Sequence, residues 1–158
     1  MALIEFAMVV GPFLALLLAT FETTITLFTQ QVLETASEKA ARTILTGTAQ
    51  RANTTATQFK NNICATLPSY MKCSSVMVDI SVASSISNAN TSSPTLTYDS
   101  NGNLTNTWSY NVGGPGDVVV VKTMYLLPQV AGPLGFNLAN VQGKNRLLMS
   151  TYVFRNEG

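Results

Sequence analysis

The sequence predicts an α+β protein in which a long N-terminal helix and a second helix precede an antiparallel sheet of about four strands. Three observations support this prediction. Residues 6–21 carry no charge and are mostly apolar, and a helical spacing of apolar residues continues beyond them. From Ser74 onward, apolar and polar residues alternate with a period of two. Two apolar runs nearer the C-terminus are suited to central strands. We divide the chain into an N-terminal hydrophobic helix at 1–48 and a C-terminal α+β domain at 49–158.

Composition limits the classes of function. The 158-residue chain is long enough for one ordinary domain, has a net charge of +1 and contains no histidine. A nearly neutral chain without a basic patch argues against a nucleic-acid partner. The commonest general base and metal ligand is absent, and the many serines and threonines have no base partner. We therefore expect no enzyme activity, no catalytic residue, no metal site and no cofactor.

The first helix is predicted to run to residue 46 and to end at a Gly47 cap. Pro12, directly after Gly11, lacks an amide donor and should kink the helix. A helix of this length is about 70 Å long at ~1.5 Å per residue, roughly twice the thickness of a bilayer's hydrocarbon core. The apolar spacing forms one helical stripe that comprises Phe21, Ile25, Phe28, Val32, Ala36, Ala40 and Thr43. Its part at Ile25, Phe28 and Val32 should pack the upper helix on the sheet or on a neighbouring subunit.

The uncharged run at 6–21 suits three kinds of segment. A cleavable secretory signal is disfavoured because no basic residue precedes Lys39. A plain transmembrane anchor is possible, although the run is slightly shorter than the ~20 residues of a typical span. In the third interpretation Met1 is a new N-terminus left by removal of a short leader. In a plain anchor, Glu5 would lie at the water interface. In the third interpretation it is a carboxylate among apolar surroundings that needs a cation, because a charge in lipid costs ~2.5 kcal/mol or more.

The second helix is predicted over 49–67, and Pro68 ends it. Its apolar face comprises Ala49, Ala52, Ala56, Phe59, Ile63 and Leu67. Cys64 and Cys73 are either a disulfide or two buried free thiols. An even cysteine count beside an apolar N-terminal segment favours the disulfide and an exported, oxidising setting. The spacing is too wide for a redox pair and too isolated for zinc.

Four segments are predicted to follow as strands or hairpins. Residues 76–83 alternate and predict a half-buried strand. Residues 95–110 predict a hairpin with its turn at Asn101 and Gly102. The runs at 117–127 and 145–154 are apolar enough to be central strands. They are joined by an irregular connection containing at most a short helix near 137–142.

The polar segment at 84–95 is predicted to be an exposed loop. A partial calcium-loop pattern at 99–103 lacks the glycine and glutamate that such a loop requires, so a hairpin turn is favoured there. The glycine-rich stretch at 113–117 should shape the start of the next strand, because its proline lacks a donor and no helix follows. Three aromatic residues could line a sugar-binding face or pack in the sheet: Tyr98, Trp108 and Tyr110.

The stretch IEFAMVVGPFLALLLATFE resembles the N-terminal signature of TadE-like pseudopilins of the Flp/Tad type IVb pilus systems. That signature has a Glu-Phe-Ala start, an apolar run with an early proline, and a second glutamate seventeen positions after the first. Glu5, Phe6 and Glu22 match it. Pro12 falls one position later than expected, and Met1 is less usual than phenylalanine. Similarity continues in QQVLETASEKAARTILTG, FKNNICATLPSYMKC, GGPGDVVVVKTMYLLP and RNE, whereas residues 84–111 are unmatched.

The resemblance implies a site and a function. Prepilin peptidases cut on the cytoplasmic side and leave glutamate as the fifth residue, so Met1, Glu5, Phe6 and Glu22 are expected to act in subunit assembly. Glu5 would pair with the α-amino group of residue 1, in its own subunit or in a neighbour.

The expected function is that of a structural subunit in the bacterial inner membrane. It would then polymerise through residues 1–33 into an extracellular type IV-like filament. Its partners would be copies of itself, the prepilin peptidase and the pilus assembly machinery, with no nucleic acid. The alternatives are a membrane-anchored assembly factor that does not polymerise and an anchored adhesin or binding module; an enzyme ranks last.

Overall fold

The computed structural model describes residues 2–130, 132 and 135–158. Its helices are α1 at Ala2–Leu45, α2 at Thr48–Arg51 and α3 at Ala56–Cys64, and its strands are β1 at Val76–Ala83, β2 at Val118–Pro128 and β3 at Asn145–Arg155. The strands form an antiparallel sheet in the order β1-β2-β3. The predicted α+β class is confirmed, with three strands instead of about four.

Helix α1 is continuous over 44 residues, or about 66 Å at ~1.5 Å per residue. It continues through Gly11 and Pro12, where the kink stays a prediction. Gly47 lies just beyond the helix with a φ of 69°, and its N–H donates to the Ile44 carbonyl at 3.0 Å. This left-handed glycine after the last turn is the predicted cap.

The face of α1 that packs in the core carries mostly small side chains. The buried residues on this face are Thr26, Thr29, Leu33, Ala36, Ser37, Ala40, Ala41 and Ile44. Thr29 and Ser37 donate their hydroxyls to helix carbonyls four residues earlier, at 2.7 and 2.6 Å, so these hydroxyls are satisfied inside the helix. Of the predicted stripe, Val32 is half-buried, whereas Ile25 and Phe28 remain 54% and 59% exposed. Packing of these two residues on a neighbouring subunit stays a prediction.

The predicted helix at 49–67 is instead two helices. The chain leaves helical geometry at Asn53, which has a φ of 48°. Thr55 then begins α3 with a capping box: its hydroxyl accepts from the Gln58 N–H at 3.3 Å, and the Gln58 side chain accepts from the Thr55 N–H at 2.9 Å. Phe59 and Ile63 are buried as predicted. The break separates them from α2 and leaves the other predicted alanines of the face, at 52 and 56, exposed.

One face of the sheet forms the main core with the helices. Its buried members from the strands are Val76, Ile80, Val119, Val121, Tyr125, Leu127 and Leu148, and they pack with Leu33, Ile44, Phe59 and Ile63. The opposite face is also largely buried, with Val120, Lys122 and Met124 below 6% exposure. The Lys122 ammonium donates to the Ser92 carbonyl at 3.0 Å. The segment at 84–95, whose side chains are mostly exposed as predicted, therefore crosses this face.

The predicted hairpin at 95–110 supplies no fourth strand. Its turn forms, because the Asp99 N–H donates to the Asn103 carbonyl and the Thr105 N–H to the Thr97 carbonyl, both at 2.9 Å. Beyond the turn a single parallel bridge joins Tyr110 to Ile80 of β1. Within the described part of the β2–β3 connection, residues 137–142 do not form the short helix that was allowed there.

The C-terminal residues fasten the end of α1 to the start of β2. Asn156 is buried and pairs with the turn before β2: its N–H donates to the Asp117 carbonyl, and its carbonyl accepts from the Gly116 N–H, both at 2.8 Å. The Glu157 N–H donates to the Leu45 carbonyl at 2.9 Å. A Cβ on Gly47 would lie 2.6 Å from the Gly158 carbonyl carbon. Glycine at 47 is therefore required both by the helix cap and by this close approach.

Candidate functional site

The N-terminal half of α1 projects beyond the packed part of the molecule. We call residues 4–25 the free segment, because Thr26 is the first buried residue from position 4 onward. The free segment is about 33 Å long at ~1.5 Å per residue, close to the ~30 Å hydrocarbon core of a bilayer. The best 18-residue window of the helix has a mean hydropathy of 2.1 and is 6% buried. By length and composition, α1 can cross a membrane.

The free segment is apolar on all sides. Its large exposed side chains are Ile4, Phe6, Met8, Val9, Phe13, Leu14, Leu16, Leu17, Leu18, Phe21 and Ile25, each at least 40% exposed. At about 100° per residue these positions are distributed around the whole helix circumference. A helix of this kind is normally covered by lipid or by other helices, and a continuous exposed apolar surface of this size marks an interaction site.

One side of the free segment carries a small residue at every fourth position: Ala7, Gly11, Ala15, Ala19 and Thr23. Apart from the backbone of its own helix turn and its chain neighbours, no atom lies within 4 Å of the place that a Cβ on Gly11 would occupy, so packing within the subunit does not require this glycine. Small residues at such spacing let apolar helices approach each other closely. Thr20, Thr23 and Thr24 donate their hydroxyls to carbonyls four residues earlier, each at 2.8 Å, which suits them to an apolar environment.

Glu5 and Phe6 both lie exposed near the start of the free segment. Met1, predicted as the partner of Glu5, lies outside the described residues. The first basic residue of the chain is Lys39, which is about 51 Å further along the helix at ~1.5 Å per residue. Arg42, the other basic residue of α1, forms an ion pair with Glu38 at 2.7 Å. No basic side chain of α1 can therefore neutralise Glu5.

Glu22 lies where the free segment meets the globular part of the molecule. Its Oε1 accepts a hydrogen bond from the Val130 N–H at 3.0 Å, which ties the β2–β3 connection to α1. Its buried Oε2 has no hydrogen-bond partner among the described residues. The structure thus gives Glu22 a contact within the subunit, and its expected role in subunit assembly stays a prediction.

Beyond the free segment, the apolar surface continues into a groove beside α1. Phe28 and Val32 line it together with Leu67 and Pro68 from the turn after α3, and its volume is about 520 Å³. We call it the lateral groove. It extends the uncovered apolar surface along the helix to the globular part of the molecule.

Cys64, at the end of α3, and Cys73, just before β1, form a disulfide. The bridge closes the turn that carries Pro68 and Met71, and Met71 is buried in the core. The disulfide therefore holds one wall of the lateral groove against the sheet.

The three aromatic residues considered for sugar binding do not form one face. Tyr110 packs on Phe59 with ring centroids 5.9 Å apart, and its hydroxyl donates to the Thr54 carbonyl at 2.8 Å. Burial raises the pKa of Tyr110 above its ordinary value. Trp108 lines the same groove as Tyr110, whereas Tyr98 lines a separate cleft with Leu147. Among the described residues there is no cluster of three metal-ligating side chains.

Sequence reasoning missed two features of this surface. The small residues at every fourth position are visible in the sequence and could have been found by searching for that spacing. The bond between Glu22 and Val130 spans 108 positions, and no local pattern signals it.

Comparisons with known proteins agree with the resemblance over α1. The family model described as TadE-like protein matches residues 1–42, which include the free segment and most of the helix face buried in the core. No curated protein and no solved structure matches the chain. The TadE-like match confirms the predicted family resemblance for the long helix and supports a pilus-related protein with an N-terminal apolar helix.

Proposed function

We propose that the protein is a structural subunit that polymerises through its free segment into an extracellular type IV-like filament. Before assembly the free segment would lie in the inner membrane, and after assembly it would lie in a core of neighbouring helices. The observation that carries this proposal is a helix segment about 33 Å long that is apolar around its circumference and, apart from the contact of Glu22, uncovered by its own globular part.

The exchange of lipid for helices need not be unfavourable, because both surroundings are apolar. Association must then come from packing, and the free segment offers small positions at Gly11, Ala15 and Ala19 beside large ones such as Phe13 and Phe21. The lateral groove would accept part of a neighbouring helix next to Phe28. This arrangement uses the apolar side chains that the subunit's own sheet leaves exposed.

Glu5 would fix the register of neighbouring subunits. An unpaired carboxylate among apolar helices is costly, and α1 supplies no basic side chain near it. In pilin-like filaments the resemblance implies that the cation is an N-terminal amine, either of the same subunit or of a neighbour. A pair between neighbours would offset the cost of burying Glu5 only when the helices are in register.

The test is Glu5→Gln, which keeps the side-chain shape and removes the charge. In cells that carry the assembly machinery, we expect membrane insertion and the disulfide to be unchanged while filament yield falls at least tenfold. Glu38→Gln is the matched control, because Glu38 is an exposed glutamate on the same helix outside the free segment. Filament yield and intact mass of membrane-extracted protein are the measurements. Normal filaments from Glu5→Gln would refute the register argument.

The second candidate is a membrane-anchored assembly factor that does not polymerise. A helix long enough to cross a membrane would anchor such a factor equally well. Two cysteine substitutions in the same subunit, at Ala7 and Ala19, distinguish the two, because each subunit can then be linked to two neighbours. A filament subunit should give crosslinked ladders of many copies in sheared filaments, whereas an assembly factor should stay in the membrane fraction as a monomer or a small oligomer. An anchored adhesin would require a ligand site on the globular part in addition.

A further inference from the structure

One edge of β1 is only partly paired. On one side β1 pairs with β2 along its whole length. On the other side the Ile80 N–H donates to the Ser109 carbonyl, and the Ile80 carbonyl accepts from the Asn111 N–H, both at 2.9 Å. Backbone groups in an antiparallel pair alternate between the two sides of a strand. The N–H and carbonyl of Val78 therefore point to the same outer edge as those of Ile80.

A side chain keeps the neighbouring segment away from Val78. The Ser109 N–H donates to the Asp79 Oδ1 at 2.9 Å, although a continued parallel ladder would direct it to the Val78 carbonyl. Among the described residues, neither the N–H nor the carbonyl of Val78 has a partner on this edge. Val78 is thus left with a free donor and a free acceptor on this edge.

This free edge forms the floor of a groove of about 680 Å³, which we call the edge groove. Thr57 and Lys60 of α3 line one wall, and Leu104 and Trp108 line the other. The volume is within the ~300–1,000 Å³ range of ligand sites. Lys60 is the charged residue among the lining side chains, so the edge groove has one apolar, aromatic wall and one basic wall.

We propose that the edge groove binds an extended segment of another protein by strand addition to β1 at Val78. Main-chain hydrogen bonds to the free edge would supply affinity, and alternate side chains would supply specificity. The segment would place an apolar side chain beside Trp108 and a carboxylate beside Lys60. This binding site is separate from the free segment and would serve partner recognition, not polymerisation.

A second copy of this chain fits the edge groove poorly. Four of its eight acidic residues lie in α1, and the other four are Asp79, Asp99, Asp117 and Glu157. The three aspartates each accept hydrogen bonds from backbone N–H groups of their own chain. The Glu157 backbone is bonded to the end of α1. None of the eight lies in an extended, unpaired segment, so the acidic strand is expected from a different protein.

The test uses the full chain in detergent micelles and a synthetic probe. The probe is an acetylated, amidated eight-residue peptide of alternating threonine and valine with one central glutamate. Because Trp108 is the sole tryptophan, its fluorescence reports binding in the edge groove directly. We expect a saturable change in Trp108 fluorescence with this peptide. We expect no change with the same peptide when the backbone nitrogens along one of its edges are methylated.

Two variants and a matched control localise the site. Val78→Pro removes the edge N–H without removing a bond to β2, and it should weaken binding at least tenfold. Val82→Pro makes the same change on the same edge outside the edge groove, and it should change binding less than twofold. Lys60→Glu should weaken binding at least tenfold, and a peptide with central lysine should restore it, which shows that the variant is folded.

Three outcomes would overturn the proposal. One is binding that Val78→Pro and backbone methylation leave unchanged. Another is no response of Trp108 to the peptide at any soluble concentration. The third is a response to a mixture of neutral oligosaccharides but not to the peptide, which would make the edge groove a sugar site.

Discussion

At the scale of single residues, threonine lets α1 serve two environments. Thr20 and Thr24 in the free segment, and Thr29 in the packed part, all donate their hydroxyls to the carbonyl four residues earlier. A hydroxyl satisfied in this way does not need water or a partner from another element. The same residue type therefore suits a helix face that contacts lipid or other helices and a face that contacts the subunit's own core.

A half-buried tyrosine, Tyr110, and a buried one, Tyr125, should make stability sensitive to alkaline pH. Burial raises the pKa of Tyr110 and of Tyr125 above the ordinary value of 10.0. Both phenols then stay neutral in the folded chain at pH values where they ionise in the unfolded chain. Their contribution to stability is complete below pH 10.0 and is lost as pH rises from 10.0 through the raised folded pKa.

The double variant Tyr110→Phe and Tyr125→Phe should remove this pH dependence. We expect its free energy of unfolding to fall less steeply than that of the wild type above pH 10.0, measured by urea unfolding with circular dichroism in detergent. Equal slopes for the two proteins would show that other groups govern the alkaline transition.

The disulfide should contribute to stability without taking part in assembly chemistry. A closed loop of about ten residues is worth roughly 2–3 kcal/mol in the chain-entropy model. Replacing both Cys64 and Cys73 by serine should lower the free energy of unfolding by about that amount, and urea unfolding measures it. The reduced wild type is the control, since it should match the double variant; a variant as stable as the oxidised wild type would contradict this role.

At the scale of elements, the strands and helices that are marked by a pattern in their own residues were predictable. The three strands were predicted within one residue at each end, because alternation or a continuous apolar run marks them. The absence of a fourth strand could not be predicted, because the hydrogen bond from the Ser109 N–H to Asp79 joins residues 30 positions apart. Burial of Thr26 and Thr29 on the packed face of α1 was not predicted, because hydrophobicity favours Ile25 and Phe28. The Thr29 hydroxyl is satisfied inside the helix by the Ile25 carbonyl.

The capping box of α3 is the local feature that divides the predicted second helix. Thr55→Ala removes the hydroxyl that accepts from the Gln58 N–H, and it should destabilise the protein by about 1 kcal/mol. Thr57→Ala is the control, because Thr57 lies in the same exposed turn without a capping bond. Urea unfolding compares the two variants. A larger loss for Thr57→Ala would show that the cap does not determine where α3 begins.

At the scale of the whole molecule, α1 belongs to two structures at once. Its free segment is exposed and matches what a membrane or a filament core would cover. Its second half supplies the core of the globular part: Leu33 and Ile44 are fully buried in one cluster with Phe59 and Val121. The division of the chain at 48 and 49 follows composition, and it stays untested as a boundary between folding units.

Two shortened chains test where the folding unit begins. A chain that starts at Glu22 keeps the buried face of α1 and the bond to Val130, so we expect it to fold and to be soluble without detergent. A chain that starts at Ala49 loses Leu33 and Ile44. The loss of each of these buried side chains costs about 2–5 kcal/mol. Because domains are stable by only about 5–15 kcal/mol, this chain should not fold. Near-ultraviolet circular dichroism and the urea midpoint distinguish the outcomes, with the disulfide formed in both chains. A cooperative unfolding transition from the chain that starts at Ala49 would mean that the sheet and α3 fold without α1, and the helix would then be only an anchor attached to them.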